Sequence, residues 1–489
     1  SPPRRPSDPA RMTAHYPLMV PGASADGTLE VRAPFDQSHI ATVEVAGPAA
    51  IEQALSTAYA LFRDRDAWLP APQRITILER LAELMREQAE ELAVEAAREG
   101  GKPLVDSRIE VGRAIDGVRN CIDCIRDNHG EEVPMGINPA SLNHMAMTHR
   151  EPIGVVVAVS AFNHPLNLIV HQVGPAIAAG CPVVVKPAGD TPLSCLRFVG
   201  MLRAAGLPAA WCQALVTSHR DVAATTVTDR RVGFFSFIGS GKVGWSLRNQ
   251  LAPGARCALE HGGSAPVIVE PDADLDDALP MLAKAGFYHA GQVCVSVQRV
   301  YVHRSIARQV AEGIAELGNK MRIGDPTSAD TDVGPLIRPA EVERVHKWVE
   351  EAISKGAEKL SGGNKVSDTC YATTVLLDAP DDAIISCNEV FGPVILVYSY
   401  DDMDDALTRA NALPVAFQAA IYTNNLDKAM RAYRRFDASA VMVNDHTAFR
   451  VDWMPFAGLK HSGHGIGGIP HTFKDMQIEK MMVIRSPSL

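Results

Sequence analysis

The sequence predicts an α/β fold in which helices cover parallel sheets, and three observations support that prediction. The chain of 489 residues is too long for one hydrophobic core, so two or three domains are expected. From residue 154 onward, short apolar runs alternate with segments of helical periodicity, as in βαβ units. Polar or charged side chains follow several of these apolar runs. They stand at the predicted carboxyl ends of strands, where parallel sheets bind their ligands.

The composition argues against nucleic-acid and membrane partners. The 57 acidic residues exceed the 47 basic ones, and the net charge of −10 gives no basic footprint for nucleic acid or an anionic membrane. No stretch reaches about 18 uninterrupted apolar residues, and no signal peptide opens the chain, so a cytoplasmic location is expected.

The nine cysteines are scattered and odd in number, a pattern typical of a reducing compartment rather than of a disulfide framework. Cys121 and Cys124 form a CxxC motif, but no second ligand pair follows at metal spacing. Since both lie in a predicted helix, we interpret them as packing residues and expect no metal site.

The N-terminal part of the chain is predicted to be mostly helical. Residues 1–20 begin with a proline-rich segment and are expected to be disordered. Helical periodicity covers residues 49–66 and 71–100, and the second of these helices should end at the glycine pair before Pro103. A third helix is predicted from Leu104 to about Asp127.

The remainder alternates between the two element types. Strands are predicted at 155–159, 182–186, 214–216, 232–237, 257–260, 266–269, 296–302, 394–398 and 419–422. Helices are predicted to end at residue 180, to begin at 191, and to cover 274–288, 305–320, 341–356, 403–411 and 426–436. Residues 473–484 are expected to form an amphipathic strand that packs on another part of the molecule or on another subunit.

Cys294 ends the segment Gly291-Gln292-Val293-Cys294, which lies between a predicted helix and a predicted strand. A thiol at such a junction, close to a glycine, can be exposed without crowding, and the thiolate form of cysteine is a nucleophile. Because free cysteine is among the most buried residue types, a packing role is the alternative when this motif is taken alone.

Asn163, Lys186 and Glu260 each end or follow a predicted strand. The Asn163 amide can stabilise a developing oxyanion, although a turn asparagine is commoner. Lys186 can reach ribose hydroxyls or a phosphate. Glu260 is a candidate general base for the attack of water on a thioester. A solvated surface side chain is the alternative for both charged residues.

Gly239, Gly241 and Gly244 match the GxGxxG pattern between a strand and a helix. Small residues at a helix N-terminus let backbone amides face a phosphate, which supports dinucleotide binding, and a ligand-free glycine-rich turn is the equally open alternative. Further along, the Glu389 carboxylate can hold ribose hydroxyls, and the Phe391 ring can pack on a flat ring. An ordinary turn before a strand is the alternative there.

The order and spacing of these motifs together resemble the aldehyde dehydrogenase superfamily, from about residue 30 to 485. The matching segments are FNHP at 162–165, KPA at 186–188, GS at 239–240, EHGG at 260–263, GQVC at 291–294, EVFGP at 389–393 and PFAGLKHSG at 455–463. The resemblance implies an enzyme that oxidises an aldehyde to the carboxylic acid with NAD or NADP.

The resemblance also implies the catalytic roles. Cys294 is similar to the nucleophile that attacks the aldehyde, and Asn163 with the Cys294 backbone amide to the oxyanion donors. Hydride then leaves the thiohemiacetal for the nicotinamide, and Glu260 activates the water that hydrolyses the thioester. A thiol pKa of about 8.5 leaves only a few per cent thiolate near neutrality, so activation by the site or the cofactor is expected.

The residues implied to contact the cofactor are Phe162, Lys186, Ala188, Gly189, Gly239, Ser240, Val243, His261, Glu389 and Phe391. Two of them depart from the usual pattern. Gly189 stands where NAD-preferring members commonly have a glutamate that would repel a 2′-phosphate, so we expect use of both cofactors. His261 replaces the leucine that is usual at this position near the nicotinamide. The substitution either leaves the activity unchanged or adds a second titratable group that alters the pH profile.

The residues implied to contact the substrate are Arg113, His164, Asn167, His171, Tyr288, Val293, Phe449, Arg450 and Phe456. Their polar character resembles that of members acting on phosphonoacetaldehyde and other short anionic aldehydes. Val293 stands where those members place an arginine, which argues against a phosphonate. We therefore predict a short polar aldehyde of the lactaldehyde or glycolaldehyde type, or an anionic one.

The implied fold has a cofactor domain in two segments, a catalytic domain, and a small oligomerisation element that makes a homodimer or homotetramer. The predicted ranges are 21–129 and 149–258 for the cofactor domain, 259–444 for the catalytic domain, 130–148 and 471–489 for the oligomerisation element, and 445–470 for a loop that closes the substrate tunnel.

Other functions remain open at this stage. An aldehyde dehydrogenase that transfers the acyl group to CoA commonly lacks the carboxylate that Glu260 matches. A catalytically silent structural relative would not need Cys294, Glu260 and Asn163 together. A thiol hydrolase without a cofactor would leave Lys186 and Glu389 without a purpose.

Overall fold

The computed structural model describes residues 14–217 and 220–489. Within these ranges the chain forms two α/β domains, each built on its own sheet, and a small antiparallel sheet made from two distant segments. No helix among the described residues is long and apolar enough to cross a membrane.

The helices cover both faces of the two large sheets. They are α1 Pro48–Arg63, α2 Ala71–Glu87, α3 Ala89–Gly100, α4 Leu104–Arg126, α5 Asn167–Ala179, α6 Leu193–Ala204, α7 Arg220–Thr228, α8 Gly241–Arg248, α9 Leu275–Phe287, α10 Ala307–Lys320, α11 Pro339–Ser354, α12 Ile384–Cys387, α13 Met403–Asn411, α14 Leu426–Arg435 and α15 Ile469–Asp475.

Most strands are short, and two strands at the centre of the first domain's sheet are rich in valine. They are β1 Ala14–Tyr16, β2 Thr28–Arg32, β3 His39–Glu44, β4 Glu132–Val133, β5 His144–Pro152, β6 Val155–Val159, β7 Val183–Lys186, β8 Cys212–Ala214, β9 Val232–Ile238, β10 Arg256–Glu260, β11 Ala265–Val269, β12 Val297–His303, β13 Glu358–Ser361, β14 Thr374–Leu377, β15 Val394–Tyr400, β16 Val415–Ala416, β17 Gln418–Tyr422, β18 Ala440–Val443, β19 Leu459–Lys460, β20 Gly463–His464 and β21 Gln477–Arg485.

The sheet of the first domain has the order β20-β10-β9-β6-β7-β8 among the described strands. All neighbours from β10 to β8 are parallel, and only β20 pairs antiparallel, with β10. Strand β6 is buried along almost its whole length, because helices cover both faces of a parallel sheet. The predicted parallel α/β architecture is therefore confirmed for this domain.

The second domain has the strand order β13-β14-β15-β12-β11-β17-β18 in the part of the chain that the structure describes. Its strands are parallel except β13. Strand β20 belongs to the first sheet although it follows β18 in the chain. The segment between them therefore crosses from one domain to the other.

Buried carboxylates fix the helices that follow β6 and β7. Glu110, on α4, accepts hydrogen bonds from the amides of Leu166 and Asn167 at the start of α5, and forms a fully buried ion pair with Lys102. Glu99, on α3, accepts bonds in the same way from two amides at the start of α6. A negative charge at a helix N-terminus satisfies amides that the helix leaves free and favours the helix dipole.

The third sheet joins residues far apart in sequence. Strand β21 pairs antiparallel with β5 along its whole length, from Gln477 opposite Pro152 to Arg485 opposite His144. Strand β4 lies on the other side of β5. The two segments predicted for the oligomerisation element, 130–148 and 471–489, are thus brought together, although β5 continues four residues beyond 148.

The structure differs from the predicted elements in several places. Residues 14–20, predicted to be disordered, include strand β1, which pairs with β3, whereas residues 1–13 lie outside the described ranges. The helix predicted over 71–100 is interrupted at Gln88, where the backbone leaves the helical region. Residues 473–475 end α15 rather than starting the terminal strand. The predicted boundary at 258/259 falls inside β10.

Candidate active site

A cavity of about 510 Å³ lies between the two domains, at the carboxyl ends of β6, β7, β9 and β10. Its described lining residues are Arg113, Val159, Ser160, Ala161, Phe162, Asn163, His164, Asn167, Leu168, Ala188, Gly189, Asp190, Phe237, Ile238, Gly239, Ser240, Val243, Glu260, His261, Gly262, Tyr288, Val293, Cys294, Val295, Arg338, Glu389, Phe391, Ala448, Arg450 and Phe456. The three predicted catalytic residues, Cys294, Glu260 and Asn163, all line this one cavity.

The loop that carries Cys294 is held in an unusual backbone conformation. After α9, three successive residues, His289, Ala290 and Gly291, have positive φ angles of 49°, 52° and 71°. A Cβ atom on Gly291 would collide with the carbonyl oxygen of Gly392, so only glycine fits there. A non-glycine residue in this region costs roughly 1 kcal/mol or more, so the surrounding contacts must enforce the loop.

Gln292 supplies those contacts. Its Nε2 donates to the carbonyls of His289 and Pro335, each at 3.2 Å, and its Oε1 accepts from the amide of Ile337 at 3.0 Å. Since the side chain is 1% exposed, each of these bonds forms in a low-dielectric setting. Gln292, which the sequence analysis left without a role, therefore holds the loop onto the second domain.

Asn163 reaches the same loop from the first domain. Its Nδ2 donates to the carbonyl oxygen of Gln292 at 2.9 Å, and this bond fixes the plane of the amide. A primary amide nitrogen carries two hydrogens, so one remains to donate beside Cys294. The arrangement suits the predicted stabilisation of an oxyanion.

Burial shifts the pKa values of the groups that are predicted to be catalytic. It raises the pKa of the Cys294 thiol to about 12; the positive charge of Arg450 opposes this rise, and the carboxylates of Glu260 and Glu389 add to it. Burial also raises the pKa of Glu260, again opposed by Arg450. Arg450 is thus the cation that favours the charged forms of both the thiol and the carboxyl group.

Two glycines let the carboxylates approach the backbone closely. A Cβ atom on Gly467 would overlap the carboxylate of Glu260, and one on Gly262 would overlap that of Glu389. The amide of Gly263 donates to Glu389 at 3.2 Å. Burial nevertheless raises the pKa of Glu389 to about 8.

The residues predicted to contact the cofactor mostly lie along one side of the cavity. Phe162 and Phe391 meet edge to face, with ring centroids 5.8 Å apart. Ser240 caps α8, and its own side chain makes no capping bond there. Lys186 does not line the cavity. Burial lowers the pKa of its ammonium group, and the nearby carboxylate of Asp190 opposes that shift.

His261 lies beneath the start of α8. Its Nδ1 hydrogen-bonds the carbonyl of Gly239 at 2.9 Å, and its ring fills the space that a Cβ atom on Gly244 would take. Burial lowers its pKa, and the bond to Gly239 opposes that shift. The third glycine of the GxGxxG pattern is therefore required by this histidine.

The sequence analysis missed an ion pair that crosses the cavity mouth. Asp190 follows β7 in the first domain, and Arg338 caps α11 in the second. The guanidinium contacts the carboxylate through Nε at 3.0 Å and through a second nitrogen. Neither residue belongs to a recognised motif, and 148 positions separate them, so no local pattern indicates the pair.

The predicted substrate residues form a second group at the inner end of the cavity. Arg113, Asn167 and His171 all hydrogen-bond Asp452, which is 3% exposed and was also missed. His164 contacts the Tyr288 hydroxyl at 3.1 Å.

Two predicted substrate residues do not line the cavity. His171 lies behind Arg450, and the Phe449 side chain is partly exposed at the protein surface. Val293 and Phe456 do line it, in an apolar cluster with Val295 and Phe417. No group of three or more potential metal-ligating side chains occurs within residues 14–217 and 220–489.

Comparison with known proteins gives consistent results. The model of the aldehyde dehydrogenase family matches residues 20–482. A 3-sulfolactaldehyde dehydrogenase of Priestia aryabhattai is 36% identical over 456 residues, 93% of this chain and 94% of that protein.

Solved structures resemble the whole chain as well. Aldehyde dehydrogenase 21 of Physcomitrella patens, in complex with the reaction product succinate, has a TM-score of 0.93 and 34% identity, with 97% of this chain and 99% of that one covered. The glyceraldehyde-3-phosphate dehydrogenase GapN of Methanocaldococcus jannaschii, complexed with NADP, has a TM-score of 0.90 and 32% identity, with 95% and 100% covered.

The charges around Cys294 predict opposite effects of two substitutions on its reactivity. Arg450→Gln removes the cation that opposes the raised pKa, so alkylation by iodoacetamide at pH 8 should slow by about threefold to tenfold. Glu260→Gln removes a negative charge and should accelerate it. Peptide mass spectrometry measures the Cys294 adduct, with the exposed Cys387 as an internal reference. A change in the same direction in both variants would contradict this electrostatic account.

Proposed function

Because the chain belongs to the aldehyde dehydrogenase family, we propose that its substrate is a short polar aldehyde that carries an anionic group away from its carbonyl. The enzyme oxidises an aldehyde to the carboxylic acid with NAD or NADP. The proposal concerns which aldehyde it accepts, which residues act on it, and how the chain assembles.

The observation that carries the substrate proposal is the uncompensated guanidinium of Arg450. It lines the cavity together with Cys294, and its Cζ lies 3.5 Å above the ring of Phe456. Among the described residues, it forms no ion pair, and its buried Nε has no hydrogen-bond partner. The charges of Glu260 and Asp452 favour the guanidinium, but among the described residues no carboxylate forms an ion pair with it. Because a buried cation without a contacting anion is costly, an anionic group of the substrate is the natural partner.

The similar proteins support the same substrate class. Their names refer to a sulfonated aldehyde, to succinate as product and to a phosphorylated aldehyde, each a small molecule with an anionic group. The predicted lactaldehyde or glycolaldehyde type has the same short polar skeleton. Val293 carries no charge, and Arg450, which lines the same cavity, is the cation whose charge acts on the Cys294 thiol.

The geometry of the three predicted catalytic residues supports the following roles. Cys294 attacks the aldehyde carbon, and the free hydrogen of the Asn163 amide stabilises the oxygen of the resulting thiohemiacetal. When bound, NAD or NADP supplies the hydride acceptor for conversion to the thioester. Glu260, held against Gly467 and with its pKa raised by burial, takes as the carboxylate the proton of the water that hydrolyses the thioester.

The residues that line the cavity fit the cofactor. Among the described residues, the Gly263 amide is the only hydrogen-bond donor to Glu389, so its carboxylate retains acceptor capacity for ribose hydroxyls. The amides at the start of α8 and the hydroxyl of Ser240 suit a pyrophosphate. We propose that Gly189 lets both cofactors bind, since no atom of a described residue other than Gly189 and its two chain neighbours lies within 4 Å of the position its Cβ would take.

Two exposed strand edges support a homo-oligomer. Strand β21 is the edge of the third sheet and exposes apolar side chains on both faces, and β18 is an edge of the second domain's sheet. Unpaired edges of this kind are sites of association. We propose that β21 of one copy packs on β18 of a second copy.

The substrate proposal predicts the outcome of an aldehyde panel. Succinate semialdehyde and glycolaldehyde should be oxidised with kcat/KM about tenfold or more above those of hexanal and benzaldehyde. An apolar aldehyde would leave the buried polar groups of the cavity without hydrogen-bond partners. NAD(P)H absorbance measures the rate, and Cys294→Ala should abolish it. Better turnover of hexanal or benzaldehyde would refute the proposal. Dependence of NADH formation on CoA would favour acyl transfer instead of hydrolysis.

The cofactor proposal predicts a loss of NADP binding in Gly189→Glu. The added carboxylate would lie beside Asp190 and repel a 2′-phosphate, so the Kd for NADP should rise by about tenfold or more relative to that for NAD. Isothermal titration calorimetry on the purified protein measures both affinities. Gly189→Gln has the same size without the charge and should retain most NADP binding. Equal losses in the two variants would show that size, not charge, is responsible.

The assembly proposal predicts that charges on β21 separate the subunits. Met482→Glu combined with Ile484→Glu places two carboxylates on one exposed face of the strand and should convert the oligomer to a smaller species in light scattering. Val366→Glu, another exposed apolar position, is the control and should not change the mass. A wild-type protein that is monomeric at micromolar concentration would contradict the proposal.

A further inference from the structure

The two arginines predicted to contact the substrate have very different surroundings. Arg113 donates to Asp452 through Nε at 3.1 Å and through a terminal nitrogen at 2.7 Å, a bidentate pair. Arg450 has no carboxylate partner among the described residues. A terminal nitrogen of its guanidinium donates a hydrogen bond to Nδ1 of His171 at 3.3 Å. The charge of Arg113 is therefore neutralised, whereas that of Arg450 is not.

The contacts of His171 determine its tautomer. A guanidinium can only donate, so Nδ1 of His171 must be an unprotonated acceptor. The hydrogen is then on Nε2, which donates to Asp452 Oδ1 at 2.7 Å. Burial and the nearby charge of Arg450 lower the pKa of His171 to about 4, so the ring stays neutral near pH 7.

Asp452 is well suited to hold this tautomer. Its carboxylate accepts from Arg113, Asn167 and His171, which come from two helices of the first domain. Burial raises its pKa, but His171 and Arg113 outweigh that effect and hold it well below its usual value. The carboxylate therefore stays charged and keeps Nε2–H of the imidazole pointed at it.

We propose that His171 is a positioning residue that acts through Arg450. Asp452 orients the imidazole, the imidazole Nδ1 holds one edge of the guanidinium, and the remaining donors of Arg450 face the anionic group of the substrate. The inference rests on the proposed substrate class, and it assigns to His171 a place behind the cavity wall instead of contact with the substrate. Arg113 contributes mainly by compensating Asp452.

Leucine and asparagine form a matched pair for testing this role, because they have nearly the same shape. His171→Leu removes the acceptor for Arg450, whereas His171→Asn places a carbonyl oxygen close to the position of Nδ1. Each variant is assayed with succinate semialdehyde and with its methyl ester, which has the same chain without the charge. The ester reports whether the fold and the chemistry survive.

The expected result is specific to the charged substrate. His171→Leu should raise KM for succinate semialdehyde about threefold to tenfold with kcat nearly unchanged, because a misplaced guanidinium loses part of a charge-assisted hydrogen bond. His171→Asn should stay near the wild type. The ratio of kcat/KM for succinate semialdehyde to that for the ester should therefore fall about threefold to tenfold in His171→Leu and stay near the wild-type value in His171→Asn.

A double-mutant cycle with Arg450→Gln isolates the coupling. Arg450→Gln alone should raise KM for succinate semialdehyde about tenfold or more, and His171→Leu should then add nothing further. Arg450→Gln also disfavours the Cys294 thiolate, and that loss falls equally on both aldehydes, so each comparison uses the ratio of kcat/KM for succinate semialdehyde to that for the ester. Additive effects on this ratio, or an unchanged ratio in His171→Leu, would overturn the inference while leaving the substrate class intact. If Arg450→Gln leaves the ratio unchanged, the substrate class itself is wrong, and the positioning role is wrong with it.

Discussion

The hydrogen bond from the Asn163 amide to the carbonyl of Gln292 joins the two domains at the nucleophile. Asn163 follows β6 of the first domain, and Gln292 is fixed to the second domain through Pro335 and Ile337. Residues 289–291, just before Cys294, have left-handed backbone angles, and these contacts hold them in that conformation. The position of the thiol relative to the oxyanion donor, and hence the whole catalytic arrangement, depends on this bond.

Desolvation is the second constraint on the site. The cavity places the carboxyl groups of Glu260 and Glu389 near a thiol, and burial favours the neutral form of all three. Such an environment is unfavourable for a nucleophile at rest, but it strengthens each charge that the reaction creates. Arg450 has two effects in this environment. Its guanidinium favours the thiolate of Cys294, and in the proposed function it also attracts the anionic group of the substrate.

Much of the fold and of the catalytic centre can be predicted from the sequence. Runs such as Val155–Val159 have a local composition that defines a buried strand, and Cys294, Glu260 and Asn163 occur in short motifs. The Asp452 cluster could not be predicted in this way, since its partners lie 281 to 339 positions away. The break at Gln88 was missed because apolar periodicity continues through it. The role of His171 depends on which ring nitrogen accepts, and only the positions of its neighbours determine that.

The segment between β18 and β20 begins in the second domain's sheet and ends in the first domain's sheet, where Gly463 lies opposite Glu260. Arg450, Asp452 and Phe456 all belong to this bridge. Because Asp452 is bonded to helices of the first domain while Cys294 lies in the second, a hinge motion that separated the domains would move Arg450 away from Cys294. Such a motion would link occupancy of the cofactor cleft to affinity for the aldehyde, with the same coupling free energy in both directions.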